Sequence, residues 1–244
     1  MPALGMLRAD GPGITVEKIA AELQAFEGSP ERLNGFRRAY LHQWVSKEAP
    51  VSSVIDLDAW DRLADKSFEP AKHTGPIVLA VDTDPERART SIVAAGDRAD
   101  GLSLVEVVDS RPGVDWAVAR VLELSVRHNV RAMVIDRRSA AGSLIAAFEA
   151  ARVPVVTTGP AEVTHACGQF FDAATESGRL RHLDQPELND AIRGATTRPL
   201  GDAWAWDRKK RSEDITPLTA ATLALCAWTT KAGRPSNAGQ GRVI

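Results

Sequence analysis

Three aspartates in this 244-residue chain stand where a carboxylate could do chemistry. Asp82 closes the apolar run IVLAV, Asp136 closes AMVI, and Asp214 directly precedes the apolar segment ITPLTAATLAL. They lie too far apart in sequence to form a local motif. A charge at the end of an apolar run must nevertheless be solvated, paired or metal-bound. A carboxylate that ends a central strand lies at the mouth of a sheet, where α/β proteins place their sites. Three such groups converging from two strands and a helix would suit two Mg²⁺ ions, which take oxygen ligands and share their shell with water and phosphate. Two ions of that kind can activate water and stabilise the leaving oxygen in phosphodiester hydrolysis. Each acid also has a plainer reading: Asp82 as the start of a turn, Asp136 and Asp214 as helix caps.

The elements that must position these acids are readable from periodicity. PIVLAVDTD is an apolar β-branched run ending in acids, and TSIVAAGDRADGLSLVEVVDSR gives two more strands around a turn at Asp97–Gly101, so residues 77–109 are expected to form a three-stranded antiparallel meander. Residues 113–129 follow as an amphipathic helix, with Val114, Ala117, Val118, Val121 and Leu122 on one face. RAMVID reads as a buried strand, SAAGSLIAAFEAA as a helix and VPVVTTG as another strand, an alternation that calls for parallel pairing. PAEVTHACGQFFDAATESG and QPELNDAIRGA are expected helices, and DAWAWDRKKRSEDI reads as a hairpin with RKKRS at its tip. In TPLTAATLALCAWTTKAG, Thr216 is the expected N-cap, with Pro217 at the first helical position. Residues 1–70 read as a helical appendage and linker, 71–233 as the main domain and 234–244 as a disordered tail.

Composition narrows the classes. Thirty basic residues against 32 acidic ones give a net charge of −2, so the chain is not coated in positive charge. A basic stretch nevertheless runs through residues 178–211 and ends in Arg208, Lys209, Lys210 and Arg211, suited to a groove that meets phosphate. No run of about 18 apolar residues exists, so no membrane span is read. The N-terminus shows no charged segment followed by an apolar one, so no secretory signal is read. Two cysteines, Cys167 and Cys226, make neither a disulfide framework nor a CxxC zinc site, which fits a reducing compartment. His165 and Cys167 lie two residues apart on a helix and point about 200° from one another, which favours packing over a shared site. Trp204 and Trp206 share a strand face and are expected to pack on the domain.

The order of elements resembles the ribonuclease H-like fold. The words VDTDPERARTSI, VIDRRSAAGSL, THACGQFFDA and RPLGDAWAWDRKKRSEDITPLTAATLAL resemble the C-terminal nuclease domain of tailed-phage terminase large subunits over roughly residues 76–231. The resemblance implies an α/β fold, a mixed five-stranded sheet flanked by helices, with a helical N-terminal appendage. It implies that Asp82, Asp136 and Asp214 are catalytic and hold two Mg²⁺ or Mn²⁺ ions, with Asp84 an auxiliary acid. Glu213, Asp202 and Asp184 are rivals for the third position in poorer contexts. The implied function is cutting of concatemeric double-stranded phage DNA during genome packaging in the host bacterial cytoplasm. Arg208, Lys209, Lys210 and Arg211 are expected on the DNA backbone.

The implied partners are double-stranded DNA, a separate packaging ATPase, a small terminase subunit and a portal, with no membrane. The chain departs from the family in having no GxxxxGK[ST] sequence, so ATP-driven translocation is not assigned to it. A divided gene or a fragment beginning at an internal Met would account for that. A junction resolvase or transposase of the same fold would use similar acids. A non-catalytic module that docks a motor is the alternative from a different class.

Overall fold

The computed structural model describes residues 53–69, 75–176, 178–209 and 212–230. The helices expected before residue 53 and the tail from residue 234 lie outside them. The described residues belong to one unit that begins at Ser52. Its centre is a mixed sheet. β1 (Ile77–Thr83), β2 (Arg89–Asp97) and β3 (Ser103–Pro112) form the expected antiparallel meander. Gly101, at φ +79°, makes the β2–β3 turn in a conformation that favours glycine.

α1 (Leu57–Asp61) precedes the sheet, and α2 (Ala117–Arg127) follows the meander. α2 buries Ala117, Val121 and Leu124, one stripe at helical spacing. β4 (Val130–Asp136) returns parallel to β1, and a 3₁₀ turn (Ala140–Leu144) leads into α3 (Ile145–Ala150). β5 (Val155–Thr158) adds parallel to β4. Then come α4 (Pro160–Thr175), β6 (Leu180–His182), α5 (Pro186–Gly194), β7 (Thr197–Leu200), β8 (Ala203–Trp206) and α6 (Thr216–Thr229).

The sheet order is β5-β4-β1-β2-β3-β6, so it has six strands where the sequence predicts five. The sixth, β6, pairs parallel to β3 through only three residues, too few for any periodic signal. The hairpin also differs from expectation. β8 pairs with β7 across Gly201 and Asp202, forming a separate two-stranded ribbon. RKKRS is therefore not a hairpin tip but follows β8 on the way to α6.

Two apolar layers cover the sheet. On one face Val78, Ala80, Val93 and Val134 pack with α4, α5 and α6, whereas Leu79, Val81, Ile92 and Met133 meet α2 and α3 on the other. The alternation along β1 therefore feeds both layers. α6 is buried nearly all round, and its small residues let it lie close on β1 and β2. Its interior hydroxyls are satisfied within the helix: Thr219 Oγ1 donates to the Ile215 carbonyl and Thr222 Oγ1 to that of Leu218.

Residues placed by sequence at the end of the appendage contribute to this core. Ile55, Trp60 and Leu63 are buried with Phe170 and Leu180. The Trp60 ring stacks on His182 with centroids 3.9 Å apart, and His182 Nε2 lies 3.0 Å from the Trp60 carbonyl oxygen. Cys167 is buried in the same layer, and burial pushes its thiol up to about 11, so it packs rather than reacts. Trp206 is buried and donates to Thr222, and Trp204 meets Phe171 edge to face.

On the opposite face, Leu104, Glu106, Leu124 and His128 line a cavity of about 230 Å³. Burial pushes the Glu106 carboxyl up to about 6. Its folded value thus exceeds its unfolded one, and the associated stability is lost as pH rises from the ordinary glutamate range through about 6. Glu106→Gln should stabilise the protein at pH 7 by about 1–2 kcal/mol. The gain should shrink as pH falls to about 5, read as urea midpoints at the two pH values.

Candidate active site

The parallel register of β1 and β4 builds the site. Val78 stands opposite Ala132, Leu79 opposite Met133 and Ala80 opposite Val134. Continued by two residues, that register brings Asp82 beside Asp136. Both share the parity of Ala80 and Val134, so they lie on the sheet face that α6 covers. The β1 partner on the other side, Ser91, opposes Asp82 and meets Thr216 at the start of α6, Oγ to Oγ1 2.8 Å. Ser91 thereby ties the Asp82 end of the sheet to the helix that follows Asp214.

Asp82 is 1% exposed. Its Oδ1 accepts a 2.7 Å hydrogen bond from Arg208 Nη1, and its buried Oδ2 has no hydrogen-bond partner among the described residues. Burial pushes its carboxyl up to about 6; the Arg208 guanidinium pulls against that, and the Asp136 charge adds to the rise. Asp136 Oδ1 accepts from the Arg138 amide at 2.9 Å, and its Oδ2 lies 4.0 Å from Arg208 Nη2. One guanidinium therefore faces two carboxylates.

Asp214 is held differently. Its Oδ1 accepts from the Thr216 amide and its Oδ2 from the Thr216 hydroxyl, at 3.0 and 2.9 Å. Arg89 Nε stands 3.7 Å from Oδ2. The N-cap of α6 is Ile215, without a side-chain cap bond, rather than the expected Thr216; Asp214, one residue earlier, satisfies the free amide of the first helical residue instead. Its loop is fixed from behind by Gly194, where a Cβ would come 2.6 Å from Glu213 Cβ. Among the described residues no three His, Cys, Asp or Glu side chains converge as a metal cage. Asp82 and Asp136 form the site's carboxylate pair, and Asp214 borders it.

The remaining candidates are placed as follows. Asp84 Oδ1 accepts from the Ala88 and Arg89 amides and closes the β1–β2 turn. Of the rivals, Glu213 packs on Gly194, Asp202 lies in the β7–β8 turn, and Asp184 pairs with Lys66 at 2.7 Å. Arg208, expected on DNA, turns inward to Asp82; Lys209 is exposed, and Lys210 and Arg211 lie outside the described residues. Sequence reasoning missed Arg198, which with Asp136, Trp206 and Arg208 lines a cavity of about 30 Å³. Its membership of the basic stretch was the available signal.

The donor set fits a hard divalent cation. Asp82 offers a buried oxygen without a partner, and Asp136 stands in register beside it. The attraction of the pair for positive charge is shown by the guanidinium that faces both.

No known family description matches the sequence, and neither does any curated protein sequence. The fold does have solved counterparts. The large terminase of bacteriophage HK97 superposes with a TM-score of 0.58 at 19% identity, over 90% of this chain and 52% of that one. This chain thus spans about half the length of that terminase. The large terminase nuclease of thermophilic phage G20c with bound cobalt matches at TM-score 0.53 and 12% identity, over 70% of this chain and 96% of its own. The same nuclease with bound magnesium gives 0.52 at 11%, with the same coverage. The fold is accordingly ribonuclease H-like. Within that class it is the fold of phage large terminase nuclease domains.

Replacing Asp214 separates its hold on Thr216 from any other role. Asp214→Ala should destabilise the protein by about 1 kcal/mol through the lost hydrogen bonds to Thr216. Asp214→Asn keeps an acceptor for the Thr216 amide and should stay within about 0.5 kcal/mol of wild type. Chemical denaturation in a metal-free buffer reads both.

Proposed function

We propose that this chain is a metal-dependent endonuclease that cuts concatemeric double-stranded DNA during phage genome packaging. The observation that carries the reading is the pairing of Asp82 and Asp136 at adjacent strand ends, with one buried carboxylate oxygen that has no partner among the described residues. The terminase-nuclease fold supports it, as do the cobalt and magnesium bound to the G20c counterpart. Double-stranded DNA is the proposed substrate. A packaging ATPase, a small terminase subunit and a portal are the proposed partners, in the host bacterial cytoplasm.

Asp82 and Asp136 would hold Mg²⁺ or Mn²⁺. A second ion would call on Asp214, whose two oxygens Thr216 engages here. When bound, a divalent cation lowers the pKa of the attacking water and offsets charge on the leaving oxygen. The chain's own residues do the rest. β1 and β4 fix the separation of the two carboxylates, because both emerge from buried, hydrogen-bonded strands. Asp136 is oriented by the Arg138 amide. The wall of α6, with Thr216 and Thr219, excludes bulk water from the Asp82 side. Lys209 and Arg198, both exposed beside this end of the sheet, would place the DNA backbone by contacts that read no sequence.

Purified protein should nick or linearise supercoiled plasmid with Mn²⁺, and EDTA should stop it. The Asp82→Ala, Asp136→Ala double variant should lose at least about 100-fold in rate, a loss in the range of electrostatic stabilisation. Full activity in that variant would reject the assignment.

A further inference from the structure

Arg208 poses a question that the nuclease reading leaves open. Its neighbour Lys209 is exposed, yet only 19% of the Arg208 side chain is exposed and its guanidinium reaches both carboxylates. Nη1 donates to Asp82 Oδ1 at 2.7 Å and lies 3.4 Å from the Thr83 carbonyl oxygen, while Nη2 faces Asp136 Oδ2 at 4.0 Å. The guanidinium thus lies between the oxygens that a divalent cation would take. It cannot lose its charge by deprotonation, since arginine stays protonated in proteins. A divalent ion taking those same oxygens would lie against the guanidinium, and that repulsion is strong where water is scarce.

We infer that Arg208 is a positioning residue that holds the cation position between Asp82 and Asp136 and is exchanged for a divalent ion when the site loads. This inference rests on the proposed metal site. Its chemistry is an exchange of charge in which no bond is made or broken: a single positive charge leaves the carboxylate pair and a double one replaces it. Arg208 compensates the charge of the two carboxylates while no ion is present. It also competes with the ion, because only the fraction of molecules with Arg208 turned away can bind it. The exchange needs only the Arg208 side chain to turn, because the Asp207 amide donates to the Thr196 carbonyl and the Lys209 amide to Asp207 Oδ1, holding the backbone on either side.

Mn²⁺ titration calorimetry at pH 8, without DNA, tests the exchange. Wild type should bind Mn²⁺, and Asp82→Asn should abolish binding. Arg208→Met, which removes the competing charge but keeps the length, should bind about tenfold more tightly. Arg208→Lys, which keeps the charge, should stay near wild type. A residue with a merely structural role would leave the affinity unchanged or weaken it in both variants.

Wild-type protein gives a second readout that needs no variant to fold. Phenylglyoxal labelling mapped by mass spectrometry should find Arg208 protected in EDTA and reactive in Mg²⁺. Mn²⁺ binding in wild type that is lost in Asp82→Asn, with no gain in Arg208→Met or with Arg208 equally protected in EDTA and Mg²⁺, overturns the exchange but leaves the metal site standing. Absence of Mn²⁺ binding from both wild type and Arg208→Met overturns the two together.

Discussion

A carboxylate buried to the degree of Asp82 is a charge taken out of water, and much at this end of the molecule follows from how that charge is compensated. Alone it would tend to take up a proton, because the folded interior disfavours its ionised form. Here burial and the Asp136 charge push it up, and Arg208 holds it down. A buried charge with a counter-charge in reach is tolerable, whereas one stripped of its partner is costly. The parallel pairing of β1 with β4 sets this conflict, since it is the register that puts two acids side by side.

The surroundings are built to match. Towards this end the strands exchange aliphatic side chains for small hydroxylated ones. Thr83 and Thr90 meet at 3.0 Å, Ser91 donates to Ser110 at 3.0 Å, and Ser91 meets Thr216 of α6 at 2.8 Å. These hydroxyls are thus paired with one another within the protein, whereas Asp82 Oδ2 is not. Small side chains also let α6 lie close on the sheet, with Asp214 at its start. The oxygens of this third acid are occupied by Thr216 of that helix.

Much of this was legible in the sequence because it rests on periodicity. The meander, the α/β alternation after it and the buried final helix all carry repeated apolar signals, and Asp82 and Asp136 are conspicuous as the charges that end such runs. What escaped depends on contacts between distant segments. β6 contributes three residues whose pairing is decided by β3. The place of Trp60 in the core depends on His182, over a hundred residues away. The inward turn of Arg208 is invisible in RKKRS, where four adjacent basic residues read alike and only the fold distinguishes the first. Asp84 and Asp82 likewise read as twins, yet one closes a turn through backbone amides and the other keeps an oxygen without a partner.

The arginine and the aspartate at the centre of the site also explain one another's surroundings. If Asp82 were in water it would need no guanidinium, and Arg208 would have no reason to leave solvent beside Lys209. If the pair were a purely structural ion pair, both oxygens of a buried carboxylate would be expected to find donors, since a fully satisfied network is what makes such a pair tolerable. Arg208 satisfies Oδ1, and Oδ2 finds no donor among the described residues, with Asp136 at the longer distance of 4.0 Å from the other nitrogen. An incomplete pairing of this kind is poor structural cement, but it suits a position that another cation is to occupy. The residual dissatisfaction of Asp82 is, on this argument, the affinity the site keeps in reserve.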